Sequence, residues 1–127
     1  MKRLFLSLGL VVLAAITVAC SGAAADNPAS AGPVDPNAPV ITAQNMAFSP
    51  ATLDVTANKA FSLTFDNKDG APHNVAIYTD SSAGTAISVG QVITSSKGDQ
   101  VVPALKPGSY FFRCDVHHDM TGTITAK

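Results

Sequence analysis

From residue 40 onward, apolar and polar positions alternate with a period of two, the signature of half-buried strands. Val40–Met46 predicts a first strand, with Met46 expected in the core. In Thr52–Thr56, Leu53 and Val55 share one face, against Thr52, Asp54 and Thr56 on the other. Phe61, Leu63 and Phe65 alternate with Ser62, Thr64 and Asp66, and Asn67-Lys68-Asp69-Gly70 ends that run as a turn. His73–Thr79 puts His73, Val75 and Ile77 on one face. A loop from Asp80 to Thr85 leads to a weaker strand over Ala86–Thr94, and Gln100–Leu105 supplies another before the Lys106-Pro107-Gly108 turn. Tyr110–Cys114 sets Tyr110, Phe112 and Cys114 on one face, and Thr121–Ala126 closes the sheet. Seven to eight short strands at this spacing predict an all-β domain over residues 40–127, a β-sandwich or Greek-key barrel.

The chain before residue 40 has no such pattern. Residues 1–25 read as a signal peptide: Lys2 and Arg3 are followed by an apolar run from Leu4 to Val18 and then by small residues. That run falls short of the about 20 residues a membrane span needs. Thr17-Val18-Ala19-Cys20-Ser21-Gly22 resembles the lipobox of bacterial lipoproteins, in which the cysteine is acylated and becomes the mature N-terminus. Thr17 stands where leucine is usual. A cut after Ala23-Ala24-Ala25, with Cys20 incidental, is the alternative. Either route exports the protein, anchored at the membrane through lipidated Cys20 or else periplasmic or secreted. Residues 21–39, rich in Ala, Gly, Pro and Ser, read as a flexible tether.

Composition narrows the functional classes. The formal net charge is −1, with no basic run beyond the first residues, which argues against a nucleic-acid partner. Glu and Trp are absent, and the abundance of Val, Thr, Gly and Pro favours strands and turns over helices. Of two cysteines, Cys20 lies in the targeting segment, so the folded part keeps a single thiol, Cys114. A lone thiol outside the cytoplasm is vulnerable unless it is buried or bound to metal.

Chemistry concentrates in Tyr110-Phe111-Phe112-Arg113-Cys114-Asp115-Val116-His117-His118-Asp119-Met120-Thr121-Gly122. A strand delivers Cys114, and the loop after it offers His117 and Met120 before the chain returns as a strand. Thiolate, imidazole and thioether together are the ligands that select copper, and His₂Cys with a weak axial Met is the blue-copper arrangement. The second imidazole comes from Pro72-His73-Asn74. All three histidines of the chain fall in these two motifs. His118, beside His117, is the other candidate ligand of the loop, but adjacent side chains of an extended segment diverge.

These motifs resemble the cupredoxins, or type 1 blue copper proteins such as plastocyanin, amicyanin and auracyanin. The resemblance rests on Pro72-His73-Asn74, Pro107-Gly108-Ser109-Tyr110 and Cys114-x-x-His117-x-x-Met120-x-Gly122, and covers nearly all of residues 40–127. It implies a Greek-key β-sandwich and one copper ion cycling between Cu(I) and Cu(II), held by His73, Cys114, His117 and Met120. It also implies that Asn74 ties the two ligand-bearing loops together. The sequence departs from the family at Asp115-Val116, where a proline often precedes the histidine, and at His118.

The implied function is one-electron transfer between a redox protein donor and acceptor at the cell envelope, by a monomer that is not an enzyme. The edge of His117, framed by Ala71, Pro72, Val116 and Thr121, is the expected exit route, with docking through a small apolar surface. A copper delivery or storage protein is the alternative. Such proteins use open Met-rich or His-rich sites, and this inventory is poor in both. A copper oxidase or nitrite reductase needs a further copper site with several more histidines, and none remain. Zinc accepts His₂Cys, but a thioether is a poor fourth ligand for it.

Overall fold

The structure, a computed structural model, describes residues 37–127. The signal peptide, Cys20 and the tether up to residue 36 lie outside the described residues. Nine strands form: β1 (Val40–Gln44), β2 (Ala47–Ser49), β3 (Thr52–Val55), β4 (Phe61–Asn67), β5 (Ala76–Tyr78), β6 (Ala86–Val89), β7 (Lys97–Val102), β8 (Gly108–Arg113) and β9 (Thr121–Ala126). They make two sheets, β2-β1-β4-β7 and β3-β9-β8-β5-β6, packed as a sandwich around one apolar core. Most pairs are antiparallel. β1 with β4 and β3 with β9 are parallel, so the chain crosses between sheets before returning.

The core follows the period-two reading. Ile41 and Ala43 of β1, Leu63 and Phe65 of β4, Ile77 of β5, Val102 of β7, Phe112 of β8 and Ile124 of β9 are all buried. Fully burying a side chain of this size stabilises the fold by roughly 1.5–3 kcal/mol. Two inward faces end on polar or reactive groups. Continuing the parity of Leu63 and Phe65, Asn67 is buried; continuing that of Tyr110 and Phe112, so is Cys114. The interior therefore becomes chemically functional where β4 and β8 run out at the same end of the sandwich.

The predicted first strand is two. After Gln44 the chain turns through Asn45 (φ 54°) and Met46 (φ 59°) into β2, which pairs antiparallel with β1. Met46, expected in the core, is instead 48% exposed at the tip of this turn. An apolar side chain does not reveal that its backbone occupies a left-handed turn conformation. The Ala86–Thr94 run keeps strand pairing only over β6. Beyond it, Ile93 forms an isolated bridge with His73, each backbone N–H donating to the other's carbonyl at 2.9–3.0 Å.

Gly122 has a packing reason. It faces Phe112 in the β8–β9 register. A Cβ at Gly122 would stand 2.5 Å from Phe112 Cε1 and 2.6 Å from the Ala51 carbonyl oxygen, so only glycine fits. The Phe112 ring is wedged from the other sheet by Phe48, 5.4 Å away between centroids.

Candidate metal centre

Asn67 organises the approach to His73. Its side-chain amide donates to the carbonyls of Ala71 (2.9 Å) and Ile93 (2.7 Å), and its Oδ1 accepts the Asp69 N–H at 2.9 Å. A buried Asn satisfied in this way fixes both the turn after β4 and the Ile93 segment. Between them the His73 backbone is locked by its bridge to Ile93. His73 is fully buried.

Cys114 follows the last residue of β8, its side chain fully buried. Its N–H donates to the Met120 carbonyl at 3.0 Å, and the Met120 N–H donates to the His117 carbonyl at 3.0 Å. These two bonds close the seven-residue segment Cys114–Met120 into a compact loop and bring three candidate ligands to one place. Met120 is buried and belongs to the same core cluster as Cys114, while His117 is half-buried.

The donor atoms converge. His73 Nδ1 lies 3.1 Å from His117 Nδ1 and 3.7 Å from Cys114 Sγ. All three donors lie within 4.8 Å of one another, and no other group of this kind occurs among the described residues. The rings meet edge to face, with centroids 4.7 Å apart. Nitrogen and sulfur donors bound to one ion at about 2.0–2.3 Å would stand roughly 3–4 Å apart, so the observed spacing fits a single small cation. With both Nδ1 atoms facing the centre, each Nε2 is the nitrogen left to carry a proton. The site can bind metal.

The surroundings supply the outer contacts. His73 Nε2 is buried and lies 3.3 Å from Asp69 Oδ2, without the alignment of a hydrogen bond. Asp69 itself accepts the N–H groups of Asn45 (2.8 Å) and Met46 (3.0 Å), which joins the β1–β2 turn to the histidine. The Met46 N–H lowers the Asp69 pKa most; partial burial opposes it, and the Asn45 N–H and His73 add to the lowering. Asp69 thus sets a carboxylate beside the outer nitrogen of His73 and links that nitrogen's surroundings to the β1–β2 turn.

Asn74 Oδ1 accepts the Asp115 N–H at 2.8 Å. Its amide donates to the Gly90 carbonyl (3.2 Å) and lies 3.4 Å from Asp115 Oδ2. His118 is exposed, and its Nε2 donates to the Asp115 carbonyl at 3.1 Å; of the two adjacent histidines, His117 is the one facing Cys114 and His73. Around the His117 edge, Val116 and Pro72 are exposed and Ala71 half-buried. Sequence reasoning missed Asn67, Asp69 and Asp115, which act through contacts rather than as donors to the centre.

An all-β sandwich with a buried His₂Cys cluster and a neighbouring Met defines a cupredoxin. The chain belongs to that family: the cupredoxin-like domain matches residues 9–126. Reduced auracyanin from Roseiflexus castenholzii superposes with a TM-score of 0.63 at 19% identity, covering 69% of this chain and 94% of that one. Amicyanin from Paracoccus versutus gives 0.58 at 22% identity, covering 74% and 85%. A variant of amicyanin in its reduced Cu(I) form at pH 4 gives 0.58 at 20%, covering 74% and 86%. At these identities the likeness is one of fold. Sequence comparison with curated proteins found no significant match.

Proposed function

We propose that this protein is a type 1 copper protein that carries single electrons between a donor and an acceptor redox protein at the cell envelope. The observation that carries the reading is the convergence of His73 Nδ1, His117 Nδ1 and Cys114 Sγ on one point, with His73 and Cys114 fully buried and His117 half-buried. In it His73, Cys114 and His117 are the strong ligands, Met120 is the weak axial one, and one copper ion supplies the Cu(I)/Cu(II) couple. The protein's own contribution is rigidity. Two ligands are fully buried, the His73 backbone is bridged to Ile93, and two backbone bonds close the Cys114–Met120 loop. A frame fixed in this way limits rearrangement between oxidation states. His117 is the least buried of the three strong ligands and sits beside exposed Val116 and Pro72, which suits a small, weak docking contact. The three histidines leave none for a second copper site of the kind an oxidase needs.

The envelope location rests on the sequence of residues 1–25. In this reading Cys20 is the lipidated N-terminus, so the mature chain fractionates with membranes. The test adds Cu(II) to purified protein and records visible and EPR spectra. An intense blue thiolate-to-copper band with narrow hyperfine splitting, reversible on reduction and lost in Cys114→Ser, is the expected result. A colourless complex refutes the type 1 assignment, and a blue complex that does not cycle points to copper delivery or storage. A mature N-terminus at Asp26 refutes the lipoprotein reading.

A further inference from the structure

Asp115 lies between Cys114 and His117 in the Cys114–Met120 loop, and every polar group it carries is engaged. Its N–H donates to Asn74 Oδ1, and its carbonyl accepts from His118 Nε2. Oδ1 accepts the Tyr78 hydroxyl at 2.6 Å and Arg113 Nε at 3.3 Å, and Oδ2 lies 3.4 Å from Asn74 Nδ2. The clamp draws on β5 through Tyr78, on β8 through Arg113, on the His73 segment and on the ligand loop itself. It is also compact. The Arg113 guanidinium carbon lies 5.1 Å from the centroid of the Tyr78 ring, and Tyr78 is buried beneath it.

We propose that Asp115 is a positioning residue whose Tyr78–Arg113 clamp holds the Cys114–His117 loop in place before metal arrives, and whose charge, balanced by Arg113, tunes the redox equilibrium of the site. The proposal rests on the copper reading above for its redox part and not for its positioning part. Charge-assisted hydrogen bonds are the stronger kind, and here two donors from different strands, the Tyr78 hydroxyl and Arg113 Nε, converge on one oxygen, Asp115 Oδ1. The Tyr78 hydroxyl and the Arg113 guanidinium both face the Asp115 carboxylate, so its charge is met by donors from two strands. A negative charge one residue from the thiolate favours Cu(II), and the guanidinium beside it cancels part of that effect.

The experiment separates the two parts. In copper-free protein, hydrogen exchange at the Asp115 amide is followed by NMR in the unmodified chain and in Tyr78→Phe. Exchange at least several-fold faster in Tyr78→Phe supports the clamp, and unchanged exchange overturns it. In the copper-loaded protein, equilibrium with a redox dye is measured for Asp115→Asn and Arg113→Gln. Asp115→Asn should favour the reduced form by roughly 3–10-fold and Arg113→Gln the oxidised form by a similar factor, both shrinking with added salt. A merely structural residue would not give opposite signs. Shifts in the same direction, or both below twofold, overturn the charge role. If the unmodified protein does not turn blue, the function proposed above fails while the exchange experiment still decides the clamp.

Discussion

Replacing Gly122 by alanine tests whether the strand pair carrying the ligand loop is packed without slack. The added Cβ would meet Phe112 Cε1 at 2.5 Å and the Ala51 carbonyl oxygen at 2.6 Å. Neither neighbour yields easily. The Ala51 oxygen is backbone and already accepts the Thr123 N–H at 2.9 Å, while the Phe112 ring is fully buried and backed by Phe48. Overpacking of this kind costs about 1–3 kcal/mol, and two rigid obstacles place Gly122→Ala towards the upper end, about 2–3 kcal/mol. For a domain of this size, each kcal/mol lowers Tm by roughly 4–8 °C, so a fall of about 10–20 °C is expected. Urea unfolding of the copper-free protein should show a lower midpoint with an unchanged slope. Adding Phe112→Leu to Gly122→Ala should recover about 1 kcal/mol relative to the sum of the single changes, because the two side chains compete for one space. A loss below about 0.5 kcal/mol, or strict additivity of the pair, refutes the packing argument.

Two further outcomes follow from the turns. Met46→Gly should raise stability by about 0.5–1 kcal/mol, since it relieves a left-handed residue whose strain exceeds the entropy glycine adds; a less stable variant in thermal melts would mean the exposed side chain makes a contact that matters. Asp80 accepts from Ser82 and Thr79, which hold its pKa below the ordinary carboxylate value against slight desolvation. A depressed carboxyl contributes stability that is present above its unfolded value of about 3.9 and is lost as pH falls through the folded value. Asp80→Asn should therefore be less stable than the unmodified chain at neutral pH, with the gap closing below about pH 4; a constant gap across that window in acid-unfolding curves would contradict the linkage.

The ligand loop was legible because chemistry and chain order coincide there: Cys114, His117 and Met120 lie in one short stretch. His73 was legible because the histidines are confined to two motifs, Pro72-His73-Asn74 and the loop after Cys114. The sandwich was legible from alternation, most clearly in β4 and β8, where the parity of Leu63 and Phe65 reaches Asn67 and that of Phe112 reaches Cys114. What alternation cannot report is where a strand stops. Residues 40–46 keep the pattern while the backbone has already turned at Asn45, and the turn's two N–H groups are received by Asp69, distant in sequence. Asp69 and Asp115 were invisible for the same reason. A surface aspartate and one bonded across 41 residues to the neighbour of a ligand look alike until the fold brings Asn74 and Asp115 together.

The parallel pairing of β1 with β4 gives the domain a direction. The chain enters at Pro39, whose carbonyl accepts the Thr64 N–H, and β1 then advances beside β4 until Ala43 stands opposite Asn67, at the threshold of His73. Entry and metal centre are thus offset along the strand axis. A pull on the N-terminal residues would be taken up at the Val40 end of β1, as shear along the β1–β4 ladder. The ladder resists shear through several backbone bonds at once. The Cys114–Met120 loop, grouped with His73 at the Asn67 end of β4, would stay outside the line of force, and the spacing of its donors would be unaffected.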